Sequence, residues 1–131
     1  PVITRALQNS NTKQAQVKKT LPSVVYNTSI EAKRTLAEKG FDVVTIGNDG
    51  TVVKQSPTAG ERVSEQKRIF IMTNSGWKMP RIIGWSKADV QELCKMTGMK
   101  LASTGTGYAD SQSINFSKSI NGKETLKVNF E

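Results

Sequence analysis

Apolar residues along this chain fall into short clusters that switch between a helical and a strand period, and the same succession of clusters occurs twice. The first pass opens on Leu21-Pro22-Ser-Val-Val-Tyr26, an extended piece, because the residue before a proline is pushed out of the helical region. Ile30, Ala32, Leu36 and Ala37 then recur at helical spacing behind a cap at Thr28 or Ser29, with Glu31 in the first turn and Gly40 as the stop. Strands are predicted at Phe41–Ile46, Thr51–Ser56 and Lys67–Thr73; Gly47-Asn-Asp-Gly50 turns between the first two, and Pro57-Thr-Ala-Gly60 ends the second. Ile69 and Ile71 lie on one face of the third strand, Phe70 and Met72 on the other. The second pass keeps that order. Met79-Pro80-Arg-Ile-Ile83 is extended, and Ser86 caps a helix from Lys87 to Thr97 with Val90, Leu93, Cys94 and Met96 apolar and Gly98 as the stop. Strands are predicted at Lys100–Thr104, Gln112–Phe116 and Thr125–Phe130, with Gly105-Thr-Gly107 as the turn.

The two passes correspond position by position. Pro22-Ser-Val-Val25 is answered by Pro80-Arg-Ile-Ile83 at an offset of 58, as Ala32, Leu36 and Gly40 are by Val90, Cys94 and Gly98. One residue is then dropped, and Gly50, Gln55, Ser56, Val63, Ile69 and Ile71 answer to Gly107, Gln112, Ser113, Ile120, Leu126 and Val128 at an offset of 57. The chain therefore reads as α+β: two tandem modules, residues 21–76 and 77–131, each with one helix packed on a three-stranded sheet. Units this small bury only about 60% of their unfolded surface, so each is expected to lean on a neighbour. The connector Asn74-Ser-Gly-Trp-Lys78 is too short to hold the modules apart and favours contact between them. Before them, Val2, Ile3, Ala6 and Leu7 suit the last stretch of a helix that closes a preceding domain, and residues 8–20 read as a polar, basic linker. Lacking an initiator Met and a signal-like start, the chain is expected to be a piece of a longer protein whose targeting information lies upstream.

Charge and composition narrow the chemistry. The chain carries 19 Lys plus Arg against 11 Asp plus Glu, with the surplus in residues 1–20 and in the second module. Such a balance suits an anionic environment without selecting one. With no histidine and one cysteine, His-based general base catalysis, Cys/His zinc sites and an intrachain disulfide are excluded, and no cofactor is expected.

Pro22 with its two aliphatics, the capped helix ending in Gly, and Gly50-Thr-Val-Val-Lys-Gln-Ser-Pro-Thr-Ala-Gly60 followed by a closing strand resemble the PASTA module of bacterial extracytoplasmic proteins. The resemblance covers residues 21–131. The second copy departs from the pattern, with Ile114 in place of Pro57 and Ser117 in place of Gly60. Membrane Ser/Thr kinases and the class B penicillin-binding transpeptidases of Gram-positive division carry such modules. Met79-Pro-Arg-Ile-Ile-Gly-Trp-Ser-Lys87 resembles the opening of the second module in the transpeptidases, Gly105-Thr-Gly-Tyr resembles their turn, and Pro1–Gln8 the last helix of their catalytic domain. The resemblance implies a non-catalytic C-terminal region of a penicillin-binding transpeptidase acting in septal peptidoglycan synthesis, cell division and cell shape. It would lie on the extracytoplasmic face of the membrane, anchored through an upstream span. Its implied partners are peptidoglycan or its stem peptides, the parent transpeptidase domain that it braces, and a β-lactam. The alternatives are the muropeptide-sensing ectodomain of a Ser/Thr kinase and a ligand-free spacer.

Residues that could carry chemistry are few. A penicilloyl serine enzyme needs Ser-x-x-Lys, Ser-x-Asn and Lys-Thr/Ser-Gly together. Ser64-Glu-Gln-Lys67, Ser10-Asn-Thr-Lys13, Ser113-Ile-Asn115 and Ser119-Ile-Asn121 fit the first two, but the third is absent, so a nucleophile is expected outside this chain. Gly105-Thr-Gly107 lacks the following helix of a phosphate loop and reads as a hairpin turn. Asp49 and Asp110 read as solvated turn residues, and Cys94 as a small buried hydrophobe. Trp77 and Trp85 have no counterparts in the first module. They either pack at the seam between modules or offer a stacking surface for sugar, with Arg81 and Lys87 placed to meet stem-peptide carboxylates. The ligand-binding candidates are thus Arg81, Trp85, Lys87 and Trp77. The basic stretch Lys13–Lys19 has neither interleaved aromatics nor a recognition element, which argues against nucleic acid.

Overall fold

The computed structural model describes residues 18–47, 50–64, 66–74 and 76–131. The leading helix expected at residues 2–8 and most of the linker lie outside them. Elements follow in the order β1 (Lys18–Thr20), α1 (Ser29–Glu38), β2 (Asp42–Ile46), β3 (Val52–Ser56), β4 (Arg62–Ser64), β5 (Arg68–Thr73), α2 (Lys87–Thr97), β6 (Lys100–Gly105), β7 (Ala109–Gln112) and β8 (Thr125–Phe130). Both helices begin where the caps predict. The Thr28 hydroxyl accepts from Glu31 N at 3.1 Å, and Ser86 Oγ accepts from Asp89 N at 3.3 Å, each satisfying one of the amides a helix start leaves unpaired.

Each module folds its three strands in the same way. The sheets are ordered β2-β5-β3 and β6-β8-β7, and in both the central strand pairs parallel with the first strand and antiparallel with the second. The repeated glutamine explains why the prolyl segment recurs with the sheet. Gln55 Oε1 accepts from Val24 N at 2.8 Å while Nε2 donates to Pro22 O at 3.0 Å. Gln112 does the same one module later, accepting from Ile82 N at 3.0 Å and donating to Pro80 O at 3.2 Å. A leucine at Gln55 would leave the Val24 N–H without its acceptor. Gln55→Leu is expected to cost about 1–3 kcal/mol, read as a lower urea midpoint at unchanged m-value.

Three elements differ from expectation: β1 and β4, which were not among the strands predicted, and β7. Residues 18–20, read as linker, form β1 and pair antiparallel with β4, which adds a two-stranded ribbon beside the first sheet. The strand expected at Gln112–Phe116 instead runs Ala109–Gln112. Its sequence, Ala-Asp-Ser-Gln, has no β-branched residue. Pairing to β8 holds it extended, and the Gln112 side chain ends it by donating to Ile114 O at 2.8 Å.

The modules share a core. Leu21, Val24, Ala32, Leu36, Phe41, Val52, Val63, Ile69 and Ile71 fill the space between α1 and the inner face of the first sheet. The other face of that sheet, with Ile46, Phe70 and Met72, packs into one cluster with Val90, Leu93 and Met96 of α2 and with Leu126, Val128 and Phe130 of the second sheet. The layers therefore run α1, first sheet, α2, second sheet, and α2 is sandwiched between two sheets. The outer face of the second sheet differs at register-equivalent positions. Where the first sheet presents Val44, Ile46, Phe70 and Met72 to α2, the second presents Ala102, Thr104, Lys127 and Asn129. Of these four only Asn129 is even partly buried, and the face is open.

Gly105 and Gly107 close the β6–β7 turn against the C-terminal strand. Both have positive φ, 76° and 106°, and a Cβ would fall inside the Phe130 carbonyl oxygen at the first and the Glu131 carbonyl oxygen at the second. Glycine is required there on both counts; the segment is not the hairpin turn expected, because β6 and β7 flank β8 and do not pair with each other.

Candidate functional site

The seam between modules is held by side chains that the apolar pattern does not reveal. Trp85, 7% exposed, lies between Phe70, whose ring meets it edge-on at 5.6 Å, and the Arg68 guanidinium, 4.6 Å from its ring centroid. Arg68 in turn pairs with Asp89 in the first turn of α2, and its Nε lies 3.7 Å from Asp42. Lys67 Nζ reaches Asp89 at 3.8 Å, and Ser56 Oγ donates to Glu92. Every one of these pairs except Arg68–Asp42 joins the first module to the second. The indole of Trp77 bolts the connector down by donating to Thr73 O at 2.9 Å.

On one flank the seam opens into a cleft of about 430 Å³. One wall is the outer edge of β2, from Asp42 to Thr45, with Lys33 of α1 above it. The other wall is the opening segment Lys78–Arg81 of the second module together with Phe116, and Trp85 and Arg68 form the back. The lining holds Lys33, Arg68, Lys78 and Arg81 against the single acid Asp42. Arg68 is already compensated. Arg81 is not: its guanidinium lies 4.5 Å from the Phe116 ring centroid, and among the described residues no carboxylate comes within ion-pair distance of it. A guanidinium held over an aromatic ring with no carboxylate beside it is available to receive a carboxylate or phosphate oxygen pair.

Of the four residues singled out by sequence, Arg81 and Trp85 come together in this cleft. Lys87 stands elsewhere, donating to Gly105 O at 3.5 Å with Nζ 5.8 Å from the Phe130 ring. Trp77 is half-buried at the connector. Sequence reasoning missed Lys33, Lys78 and Phe116. Phe116 falls at the end of a strand predicted from sequence, and its exposure, 55%, sets it apart from the buried Phe41, Phe70 and Phe130.

Burial pushes the Cys94 thiol from its usual value near 9 up to about 11, so it stays protonated and unreactive at neutral pH. The raised value means that the unfolded chain loses this proton first. Its contribution to stability is complete below about pH 9 and falls as pH rises toward 11. Cys94→Ala is expected to flatten that part of the pH dependence when urea midpoints are compared at pH 8 and pH 10.5. Among the described residues no group of three or more His, Cys, Asp and Glu could hold a metal ion, and no helix is long and apolar enough to cross a membrane.

The described residues form two tandem α+β units with a cationic cleft at their seam. Residues 19–75 match the family model described as the PASTA domain, and this is a PASTA-containing chain. Penicillin-binding protein 2X from Streptococcus thermophilus shares its fold, with a TM-score of 0.76 at 23% identity over 88% of this chain. The match spans only 17% of that longer chain. The three-PASTA-domain structure of a Ser/Thr kinase from Staphylococcus aureus matches with a TM-score of 0.36 at 19% identity, over 87% of this chain and 67% of that one. The entire extracellular region of the Ser/Thr kinase PrkC from the same organism gives 0.37 at 18% identity, over 88% and 47%. No curated protein matches the chain at a significant level.

Proposed function

We propose that residues 18–131 are the non-catalytic PASTA pair at the C-terminus of a penicillin-binding transpeptidase acting in septal peptidoglycan synthesis. In this reading it sits on the extracytoplasmic face of the membrane, tethered through an upstream span. It binds or orients nascent peptidoglycan and braces the catalytic domain, with Arg81 and Trp85 at the ligand-binding cleft. The observation that carries the reading is the likeness in fold to a penicillin-binding protein over 88% of the chain, more than one module alone spans. PASTA domains bind peptidoglycan-related ligands, and the uncompensated cations of the seam suit the acidic groups of such a polymer. The divergence of the second copy at Ile114 and Ser117 is consistent with one scaffold given two jobs.

Cosedimentation with purified Gram-positive peptidoglycan tests the reading. The chain is expected to pellet with the polymer and to be released by salt, since screening weakens contacts made by exposed charges. A chain that stays in the supernatant at low salt would leave the spacer reading in its place.

A further inference from the structure

The cleft has a wall that charge alone does not explain. Strand β2 is the first strand of its sheet and is paired only with β5. Its other edge faces the cleft, and among the described residues no backbone group of Asp42–Ile46 bonds to anything but β5, whose Thr73 also donates its Oγ1 to Ile46 O. Natural sheets usually blunt such an edge with proline, a bulge, an inward charge or a covering loop. Val43, Val44 and Thr45 do none of these, and β2 pairs in regular register without a shift. The second module does not cover the edge. Its segment Lys78–Arg81 and Phe116 stand across the cleft as an opposite wall, which leaves a slot along the strand. At roughly 3.3 Å per residue the five residues of β2 offer an edge about 16 Å long.

We propose that this slot takes a short extended peptide bearing carboxylates, which adds to the free edge of β2 as a further strand. Main-chain hydrogen bonds to the edge supply affinity, and the opposite wall supplies selection. Arg81, fixed on Phe116, receives one carboxylate; Lys33 and Lys78 set the sign of the rest. The cationic wall is built from the second module, so among the described residues the slot exists only while the two modules are docked. Identifying the peptide as a peptidoglycan stem rests on the function proposed above, whereas the slot and its chemistry do not.

Trp85 at the back of the slot reports occupancy, so the full chain carrying Trp77→Phe is titrated with two probes, a stem pentapeptide and an all-L acidic tetrapeptide. Hydrogen exchange is followed at Val43–Ile46 in the same samples. Binding of either probe with slower exchange at β2, and an affinity reduced about tenfold or more by Arg81→Glu, supports the proposal, and the better probe identifies the source. N-methylation of alternate amides in that probe is expected to abolish binding. Failure of both probes overturns the proposal, as does equal binding of the N-methylated peptide or of Arg81→Glu with its fold intact by circular dichroism. Cosedimentation on the same preparations keeps the two readings separate. Polymer binding with no protection at β2 overturns the slot alone, and loss of polymer binding with the slot filled by the all-L peptide overturns only the stem assignment.

Discussion

Replacing Trp85 by alanine is expected to lower the stability of the chain by about 3–5 kcal/mol and to split its unfolding into two steps. The indole is buried on both sides by the first sheet, against the Phe70 ring and the Arg68 guanidinium, although it belongs to the second module. Its removal leaves a cavity where two sheets and α2 meet, and Phe70, fully buried, loses its aromatic partner. Neither neighbour can collapse into the space without separating the modules. Trp77→Ala is the control. It removes a half-buried ring and one hydrogen bond to Thr73 O, so a smaller loss with a single transition is expected.

Removing the carboxylate of Asp89 is the second large effect. Asp89 sits in the first turn of α2, where the helix dipole favours an acid, and pairs across the seam with Arg68, with Lys67 beside it. Both members of the Arg68–Asp89 pair are largely buried, with side chains 23% and 14% exposed. Taking away one member of such a pair leaves a charge that was desolvated for a partner it no longer has. Asp89→Ala is expected to cost about 2–4 kcal/mol, less than a fully buried pair because Asp42 remains near Arg68 Nε. The double substitution Arg68→Met with Asp89→Leu is expected to recover most of the loss, since no buried unpaired charge remains and the partners left over, Asp42 and Lys67, reach solvent. Denaturant midpoints of the unmodified chain, Arg68→Met, Asp89→Leu and the double variant decide it.

The helices, their caps and the inner core were legible because each rests on local signals, a capping hydroxyl and a 3.6-residue period, repeated twice. The β7 boundary was not. Ala109–Gln112 is extended because β8 pairs with it, and no propensity in the segment announces that. The repeat itself held the answer, since β3, Val52–Ser56, displaced by 57 begins at Ala109. The seam was written in the strands as a contrast. In β5, Ile69, Phe70, Ile71 and Met72 are apolar on both faces, as in a strand covered on both sides. In β8, Leu126, Lys127, Val128, Asn129 and Phe130 alternate, as in a strand covered on one. The arrangement of Arg81 over Phe116 was out of reach, because it depends on where the loop after β7 returns and not on spacing along the chain. The sign of the cleft was foreshadowed only loosely by the basic surplus of the second module.

The central claim is that the two modules are one folded unit whose shared core creates the seam cleft. Urea unfolding of the chain, followed both by tryptophan fluorescence and by far-ultraviolet circular dichroism, tests it most directly. The fluorescence reports Trp77 and Trp85, at the connector and the seam, while the circular dichroism reports the helices and sheets of both modules. A shared core predicts coincident transitions with a single midpoint. Two separated transitions in the unmodified chain, with the fluorescence change confined to one of them, would contradict it.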